Sequence, residues 1–178
     1  MKSEAQMRGC VQLEASTDLC PKRSLENTVR FGYTLSETSS MTESDLYSFM
    51  MQFRLGVLGS ISDQGSPQAA PVSIAVSPRL EIIFDTVESS RKYPNLIARP
   101  RCSFVIGWAG EQTVQYEGEA KQLASPELEQ YQEIYFKFWP DGPARMLWPG
   151  IVYFVVRPRW IRYSDFDQRP PLIREFTF

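Results

Sequence analysis

The sequence predicts a mainly β protein, an antiparallel β-barrel that is closed or partly open and carries a few short helices. Six or seven segments rich in branched and aromatic residues follow each other closely between residues 55 and 163, and turn residues rather than long helices separate them. Strands joined in this way pair antiparallel, and barrel closure protects their edges. The chain also contains neither Gly-x-Gly-x-x-Gly nor Gly-x-x-x-x-Gly-Lys-Ser/Thr, the loops that hold dinucleotides and triphosphates in α/β folds.

The predicted elements follow in chain order from residue 41. The segment Thr42-Glu43-Ser44-Asp45 supplies capping residues for a short amphipathic helix that ends near residue 53. Ser125 and Pro126 predict the cap and first residue of another helix, which ends near residue 138. Short helices are also expected over residues 93–98 and 144–148. Strands are expected over residues 55–62, 67–76, 80–85, 102–108, 113–123, 151–156 and 160–163, with Pro158 between the last two.

Length and composition predict one folded domain behind an extension. Of the 178 residues, 43% are hydrophobic and 22% are charged, which is ordinary for a globular protein with a real core. Residues 1–40 are polar, mix both charges and show no sustained period. We therefore predict a disordered N-terminal extension over residues 1–40 and a single domain over residues 41–178.

Charge, hydropathy and cysteine spacing disfavour several classes of protein. A net charge of −2 with scattered basic residues argues against a nucleic-acid partner. No run of 18 apolar residues predicts a membrane span, and the N-terminal segment lacks the apolar core of a secretory signal, so a cytoplasmic location is expected. Cys10, Cys20 and Cys102 lack Cys-x-x-Cys spacing and are expected to be free thiols.

Histidine does not occur in the sequence. This excludes Ser-His-Asp and Cys-His nucleophilic sites, histidine-ligated zinc and the commonest protein ligand of haem iron. No clustered acidic motif suggests a carboxylate site either, so no metal is expected.

The segment between residues 80 and 108 is the strongest indication of function. It predicts a strand, a polar turn with Ser89, Ser90, Arg91 and Lys92, a short helix and a second strand. Hydroxyls, two cations and backbone N–H groups converge where the strand passes into the helix, which favours binding of a phosphate. A phosphate is the usual point of attachment for a nucleotide-like cofactor.

Three segments in order resemble the pyridoxamine 5′-phosphate oxidase-like FMN-binding split-barrel family: LGVLGSISDQGSPQAAPVSIAV, LEIIFDTVESSRKYPNLIARPRCSFVIGW and TVQYEGEAKQL. The similarity covers residues 42–166, and its most specific part is Phe84-Asp85-Thr86 followed by Ser90-Arg91-Lys92 and Asn95-Leu96. The resemblance implies an antiparallel split β-barrel, FMN as the cofactor, and a homodimer with FMN at the interface between protomers.

The resemblance also implies a set of cofactor-binding residues. Ser90, Arg91 and Lys92 match the family's phosphate-binding turn. The strand that precedes this turn supplies two further residues beside the flavin, and an earlier strand is expected to face the ring. The family's glutamine on the strand before Glu-Gly has no clean match here, and two nearby residues are the candidates. In chain order the predicted set is Val72, Ser73, Ile74, Asp85, Thr86, Ser90, Arg91, Lys92, Thr113 and Gln115.

Departures from the family pattern argue against the vitamin B6 reaction itself. Pyridoxamine phosphate oxidases proper carry an arginine and a lysine where this chain has Ala70 and Ala75. The residues that hold the substrate phosphate in those enzymes are not recognisable between residues 125 and 138. The loop WPDGPARMLWPG is expected either to plug the barrel or to line a substrate pocket. Within it, Arg145 is the best candidate to meet an anionic substrate, although a surface arginine is the simpler reading.

The sequence therefore predicts an FMN-dependent oxidoreductase that transfers hydride or electrons between a nicotinamide or other donor and a small unknown substrate. This fits a chain without histidine, because a flavin needs few catalytic side chains. Two alternatives remain open: a flavin-binding sensor or store without turnover, and a relative that uses the deazaflavin F420 or haem. The Ser-Arg-Lys turn does not distinguish FMN from a deazaflavin.

Overall fold

The computed structural model describes residues 41–178. The extension predicted over residues 1–40, with Cys10 and Cys20, lies outside the described residues. The described part is mainly β, as the sequence predicts. Its elements are α1 (Glu43–Met50), β1 (Leu55–Ile61), β2 (Pro67–Val76), β3 (Ile82–Val87), α2 (Lys92–Ala98), β4 (Arg101–Ile106), β5 (Gln112–Gln122), α3 (Glu127–Phe138), α4 (Gly142–Arg145), β6 (Ile151–Asp165) and β7 (Leu172–Thr177).

Six of the strands form a closed antiparallel barrel. The hydrogen-bonded order is β3-β2-β1-β4-β5-β6, and β3 also pairs with β6 through residues 82–87 and 151–156. β7 lies outside this ring and pairs with the second half of β6, residues 160–165. The predicted antiparallel barrel is therefore confirmed, and of the two forms left open by the sequence it is the closed one.

Two helices close the ends of the barrel. α1 begins at Thr42, whose side chain and the Asp45 side chain form the predicted capping box. Its buried face, Leu46, Phe49 and Met50, packs into the barrel core near the starts of β1 and β5. α2 lies at the opposite end, where β1 finishes and β2 begins, because it contacts Ser60 and Gln68.

α3 covers the outside of β2, β3 and β6 and builds a second apolar cluster there. Tyr131 and Tyr135 of this helix are buried against Ala75, Ile83 and Val155. The predicted start of α3 is wrong by one residue. Pro126 occupies the cap position, and the hydroxyl of Ser125 donates to Glu129 at 2.6 Å instead of capping the helix.

The two strands predicted around Pro158 are a single strand of 15 residues, β6. A β-bulge makes this possible: Glu117 pairs with Trp160 and Gly118 with Pro158, so Arg159 has no opposing residue on β5. A bulge is one of the places in a sheet where proline is tolerated, since a ladder hydrogen bond is missing there. β7 was not predicted.

The bulge requires glycine at position 118. A Cβ on Gly118 would lie 2.4 Å from the Arg157 carbonyl oxygen and 2.8 Å from a Val156 methyl group. We expect Gly118→Ala to lower the free energy of unfolding by about 1–3 kcal/mol through overpacking. Urea denaturation of this variant beside Glu117→Ala, an exposed neighbour on the same strand, measures the effect. Equal stabilities for the two variants would contradict the close contact.

Candidate functional site

The barrel is split between β2 and β3. These strands pair only through Ile74–Val76 and Ile82–Phe84. Residues 67–73 of β2 pair with β1, and residues 85–87 of β3 pair with β6, so their edges towards each other have no ladder partner. If the register continued, Ser73 would face Asp85 and Val72 would face Thr86. The strands diverge instead. Val72 and Ser73 therefore lie on one edge of the split and Asp85 and Thr86 on the other, whereas Ile74 lies at the last paired position.

α2 is anchored at the end of the barrel where the split opens. The Asn95 side-chain amide donates to Ser60 Oγ and to Gln68 Oε1, both at 3.1 Å, and it is buried. Leu96 inserts into the barrel core, and the Tyr93 ring packs edge-on against Phe154. These contacts fix the helix and therefore the turn that precedes it. The Asn-Leu pair singled out in the sequence is thus the anchor of the turn.

The turn between β3 and α2 brings hydroxyl groups and cations together. Thr86 Oγ1 and Ser90 Oγ are 3.0 Å apart, and the Ser90 N–H donates to the Val87 carbonyl at 2.9 Å. Arg91, in helical conformation, and Lys92 follow directly at the start of α2. Four of the predicted residues, Thr86, Ser90, Arg91 and Lys92, therefore lie within one short turn.

The two cations of the turn are not neutralised by acidic side chains. Within residues 41–178, neither Arg91 nor Lys92 takes part in an ion pair, whereas Arg79, Arg145 and Arg159 each contact a carboxylate. Arg91 is exposed and Lys92 is half-buried. An anion that reaches the turn would meet two unpaired cations and two hydroxyl groups, a donor set that suits a phosphate.

The carboxylate of Asp85 is turned away from the turn and fully engaged. It accepts hydrogen bonds from Tyr135 Oη at 2.8 Å and from an Arg145 terminal nitrogen at 2.9 Å. The Asp85 and Arg145 side chains are only 9% and 11% exposed. Burial, together with the Asp85 charge, raises the pKa of Tyr135, so the phenol stays protonated and donates.

Arg145 is not the surface residue that the sequence suggested, nor is it free to meet a substrate. Its second terminal nitrogen donates to Asp141 Oδ1 at 3.1 Å. Its guanidinium lies over the rings of Trp139, at 5.3 Å, and Tyr135, at 5.7 Å. The four-residue spacing from Asp141 was the one signal in the sequence for this pairing.

The loop over residues 139–150 is fastened to both edges of the split. Trp139 Nε1 donates to the Ile74 carbonyl of β2 at 3.0 Å. Arg145 binds Asp85 of β3, and the Glu88 N–H of the turn donates to the Gly150 carbonyl at 2.8 Å. Between these attachments Met146, Leu147 and Trp148 are exposed. One part of the loop is therefore bonded to both sides of the split, and another part presents apolar side chains to solvent.

The predicted residues of β2 differ in their access to solvent. Val72 and Ile74 are buried in the barrel core, and Ser73 between them is half-buried on the outer side. Ala75 is fully buried in the second cluster together with Tyr135 and Trp139. The place that carries a lysine in pyridoxamine phosphate oxidases proper is therefore filled by aromatic side chains in this chain.

Thr113 and Gln115 do not lie near the turn within one chain. Both are on β5, which pairs with β4 and β6, whereas the split is formed by β2 and β3. Their side chains alternate with buried Val114 and Tyr116 and lie on the outer face of the barrel. Eight of the ten predicted residues therefore lie at or next to the split and the turn, whereas Thr113 and Gln115 lie on another strand.

Other kinds of site find no support in the part of the chain that the structure describes. Residues 41–178 contain no group of three or more acidic or cysteine side chains placed to hold a metal ion. Burial raises the pKa of the Cys102 thiol to about 12, which keeps it protonated and a poor nucleophile. No helix within residues 41–178 is long and apolar enough to cross a membrane.

The family is established by comparison with known proteins. The family model of pyridoxamine 5′-phosphate oxidase matches residues 44–165, and the chain belongs to this family. No curated protein sequence matches the chain.

Several solved structures share the fold. A heme binding protein from Mycobacterium smegmatis has a TM-score of 0.64 at 15% identity, and the match covers 77% of this chain and 58% of that protein. A pyridoxamine 5′-phosphate oxidase-related, FMN binding protein from Nostoc punctiforme has a TM-score of 0.55 at 10% identity, over 74% and 90% of the chains. A conserved hypothetical protein from Mycobacterium tuberculosis has a TM-score of 0.59 at 25% identity, over 70% and 85%. At 10% and 15% identity, the first two show a likeness of fold alone.

The buried pair of Asp85 and Arg145 gives a test of the site's construction. Arg145→Met leaves the Asp85 carboxylate buried without its cation, so we expect the free energy of unfolding to fall by about 3–5 kcal/mol. Arg159→Met is the matched control, because its ion pair with Glu119 is exposed and worth about 0–1 kcal/mol. Chemical denaturation of both variants measures the difference. Similar losses in the two would show that the buried pair contributes no more than a surface pair.

Proposed function

We propose that this protein binds FMN in the split between β2 and β3, with the phosphate at the turn that joins β3 to α2. The observation that carries the proposal is the donor set of this turn. Thr86 and Ser90 supply two adjacent hydroxyl groups, and Arg91 and Lys92 supply two cations without an acidic partner in residues 41–178. Charge-assisted hydrogen bonds to a phosphate are the strong ones, and membership of the family supports FMN as the molecule that carries it.

The ring of the flavin is expected to lie along β2. The edge of residues 67–73 towards β3 has no strand partner, so its backbone groups are available to the polar edge of a ring. Val72 and Ile74 point into the core, and the Ile74 backbone is already bonded to Arg54 and Trp139. The backbone of the unpaired edge and the Ser73 side chain are therefore the contacts that β2 can make. The loop over residues 139–150 would shield the site from water on the side of Met146 and Trp148.

The activity we infer is that of an oxidoreductase with a small substrate. A bound flavin supplies hydride transfer, and the protein supplies binding, orientation and exclusion of water. Vitamin B6 phosphates are poor candidates for the substrate, because Ala75 is buried and its neighbours Tyr135 and Trp139 fill the adjacent space. A flavin-binding protein without turnover is the alternative, and reoxidation of the reduced protein by added acceptors faster than by oxygen alone would exclude it.

The homodimer is proposed on a second observation. The outer face of β1 and β4 carries the exposed apolar side chains of Leu55, Ile61 and Val105, whereas α3 covers the outside of β3 and β6. Contiguous exposed apolar side chains are typical of interfaces. Thr113 and Gln115 lie on β5 next to this face. A two-fold association across it would allow β5 of one protomer to approach the split of its partner.

Haem is the competing cofactor, because one structural relative is a heme binding protein. A haem in this chain would lack a histidine ligand, since the sequence contains none. The phosphate-binding turn favours FMN over haem, whose anionic groups are carboxylates rather than a phosphate. Titration of the purified protein with hemin, followed by absorbance near the Soret band, gives an affinity for haem. Comparison of this affinity with that for FMN distinguishes the two cofactors.

Substitution of the two cations tests the phosphate site. Each charge-assisted hydrogen bond is worth about 1.5–3 kcal/mol, so Arg91→Ala combined with Lys92→Ala should weaken FMN binding by about a hundredfold or more. Binding of riboflavin, which lacks the phosphate, should change little. Fluorescence titrations of the wild type and the variant with FMN and with riboflavin measure these affinities. The control is Lys137→Ala combined with Arg174→Ala, which removes two exposed cations elsewhere. An unchanged FMN affinity in the first variant would rule out the phosphate assignment.

Charged substitutions on the outer face test the homodimer. Leu55→Glu combined with Val105→Glu would bury two carboxylates in the proposed interface, so we expect a monomer that has lost most of its FMN affinity. Ile173→Glu on β7, which is 44% exposed, is the control and should remain dimeric. Sedimentation equilibrium of the three proteins gives the mass. A wild-type monomer, or a dimer that survives the double substitution, would contradict this interface.

A further inference from the structure

The residue next to the proposed phosphate site carries a buried carboxylate, which points away from the turn. Asp85 is the neighbour in sequence of Thr86, whose hydroxyl is 3.0 Å from Ser90 Oγ. A buried negative charge on the residue next to Thr86 opposes the binding of a doubly negative phosphate, because like charges repel more strongly where little water screens them. The chain therefore brings an unfavourable charge of its own to an anion site.

Arg145 neutralises this charge from a position outside the turn. Its guanidinium binds Asp85 Oδ2 at 2.9 Å, and Tyr135 Oη binds Asp85 Oδ1 at 2.8 Å, so both carboxylate oxygens are occupied. Both side chains of the ion pair are about nine-tenths buried. Solvent ions cannot easily replace a guanidinium in such a place, so the neutralisation depends on Arg145 itself.

The other carboxylates near the turn are screened by water. Glu88 lies in the turn and is exposed, and the Asp141 side chain is 67% exposed. Exposed charges act weakly over distance because water and salt screen them. Of these three carboxylates, Asp85 is therefore the one whose charge would act on a bound phosphate through protein rather than through water.

We propose that Arg145 is a positioning residue that sets the preference of this site for a phosphorylated flavin over an unphosphorylated one. It acts by holding and neutralising Asp85, and it does not touch the cofactor. The inference rests on the proposed function, since it concerns the same site. It assigns the chain's one buried arginine in residues 41–178 to cofactor selection rather than to substrate binding.

The test is the ratio of FMN affinity to riboflavin affinity in a set of variants of the full chain. Arg145→Met should lower this ratio by about tenfold, since Asp85 is then unpaired. Arg145→Lys, which keeps the positive charge, should keep most of the wild-type ratio. Arg145→Met combined with Asp85→Asn should restore the ratio, because the carboxylate is gone. Asp85→Asn alone removes the buried negative charge and leaves Arg145 with the exposed Asp141 as its acidic partner, so it should raise the ratio. This variant tests the inference if Arg145→Met does not fold.

A purely structural role for Arg145 predicts a different pattern. Arg145→Met would then weaken both flavins equally, and Asp85→Asn would leave the ratio unchanged. That pattern would overturn the inference while leaving the phosphate site intact, provided that the wild type prefers FMN over riboflavin. A wild type without this preference would overturn the proposed phosphate site as well, and the two failures are distinguishable in the same titrations.

Discussion

The incomplete pairing of β3 with β2 is the constraint on which the rest of the site depends. β3 pairs with β6 over its whole length of six residues but with β2 over only three. The boundary between β2 and β3 is therefore hydrogen-bonded at one end and open at the other. α2 lies at the open end and is held there by the buried amide of Asn95, which bonds to the side chains of Ser60 and Gln68. The position of the turn before α2 follows directly from this arrangement.

The loop over residues 139–150 connects the two sides of the split. It is bonded to β2 through Trp139, to β3 through Arg145, and to the turn through Gly150. A site whose edges are held apart by fixed contacts loses little conformational entropy when a ligand enters. The same loop supplies the cation that neutralises Asp85, so one segment both connects the edges of the proposed anion site and balances its buried charge.

The sequence predicted most of the barrel because its strands alternate clearly and its turns carry the expected residues. It failed at Pro158, where the bulge in β6 depends on Gly118 of another strand. It also missed β7, because LIREFT is an edge strand with little burial and its pattern is correspondingly weak. Local patterns do not report pairings between distant segments.

In the site, too, contacts between residues close in sequence were predictable, whereas contacts between distant residues were not. The turn with Ser90, Arg91 and Lys92 was found from the sequence because its residues are contiguous. The engagement of Arg145 by Asp85 was not, because sixty residues separate them in the chain. Thr113 and Gln115 lie on a strand that does not border the split of the same chain, so their role as cofactor-binding residues stays a prediction.

Identification of the ligand carried by the purified protein tests the central claim most directly. The ligand would be released by heating, identified by mass spectrometry, and quantified against protein. The account predicts FMN at about one molecule per chain, either as purified or after incubation with FMN and removal of the excess. Release of haem or a deazaflavin, or a protein that takes up no FMN under any of these conditions, would contradict it.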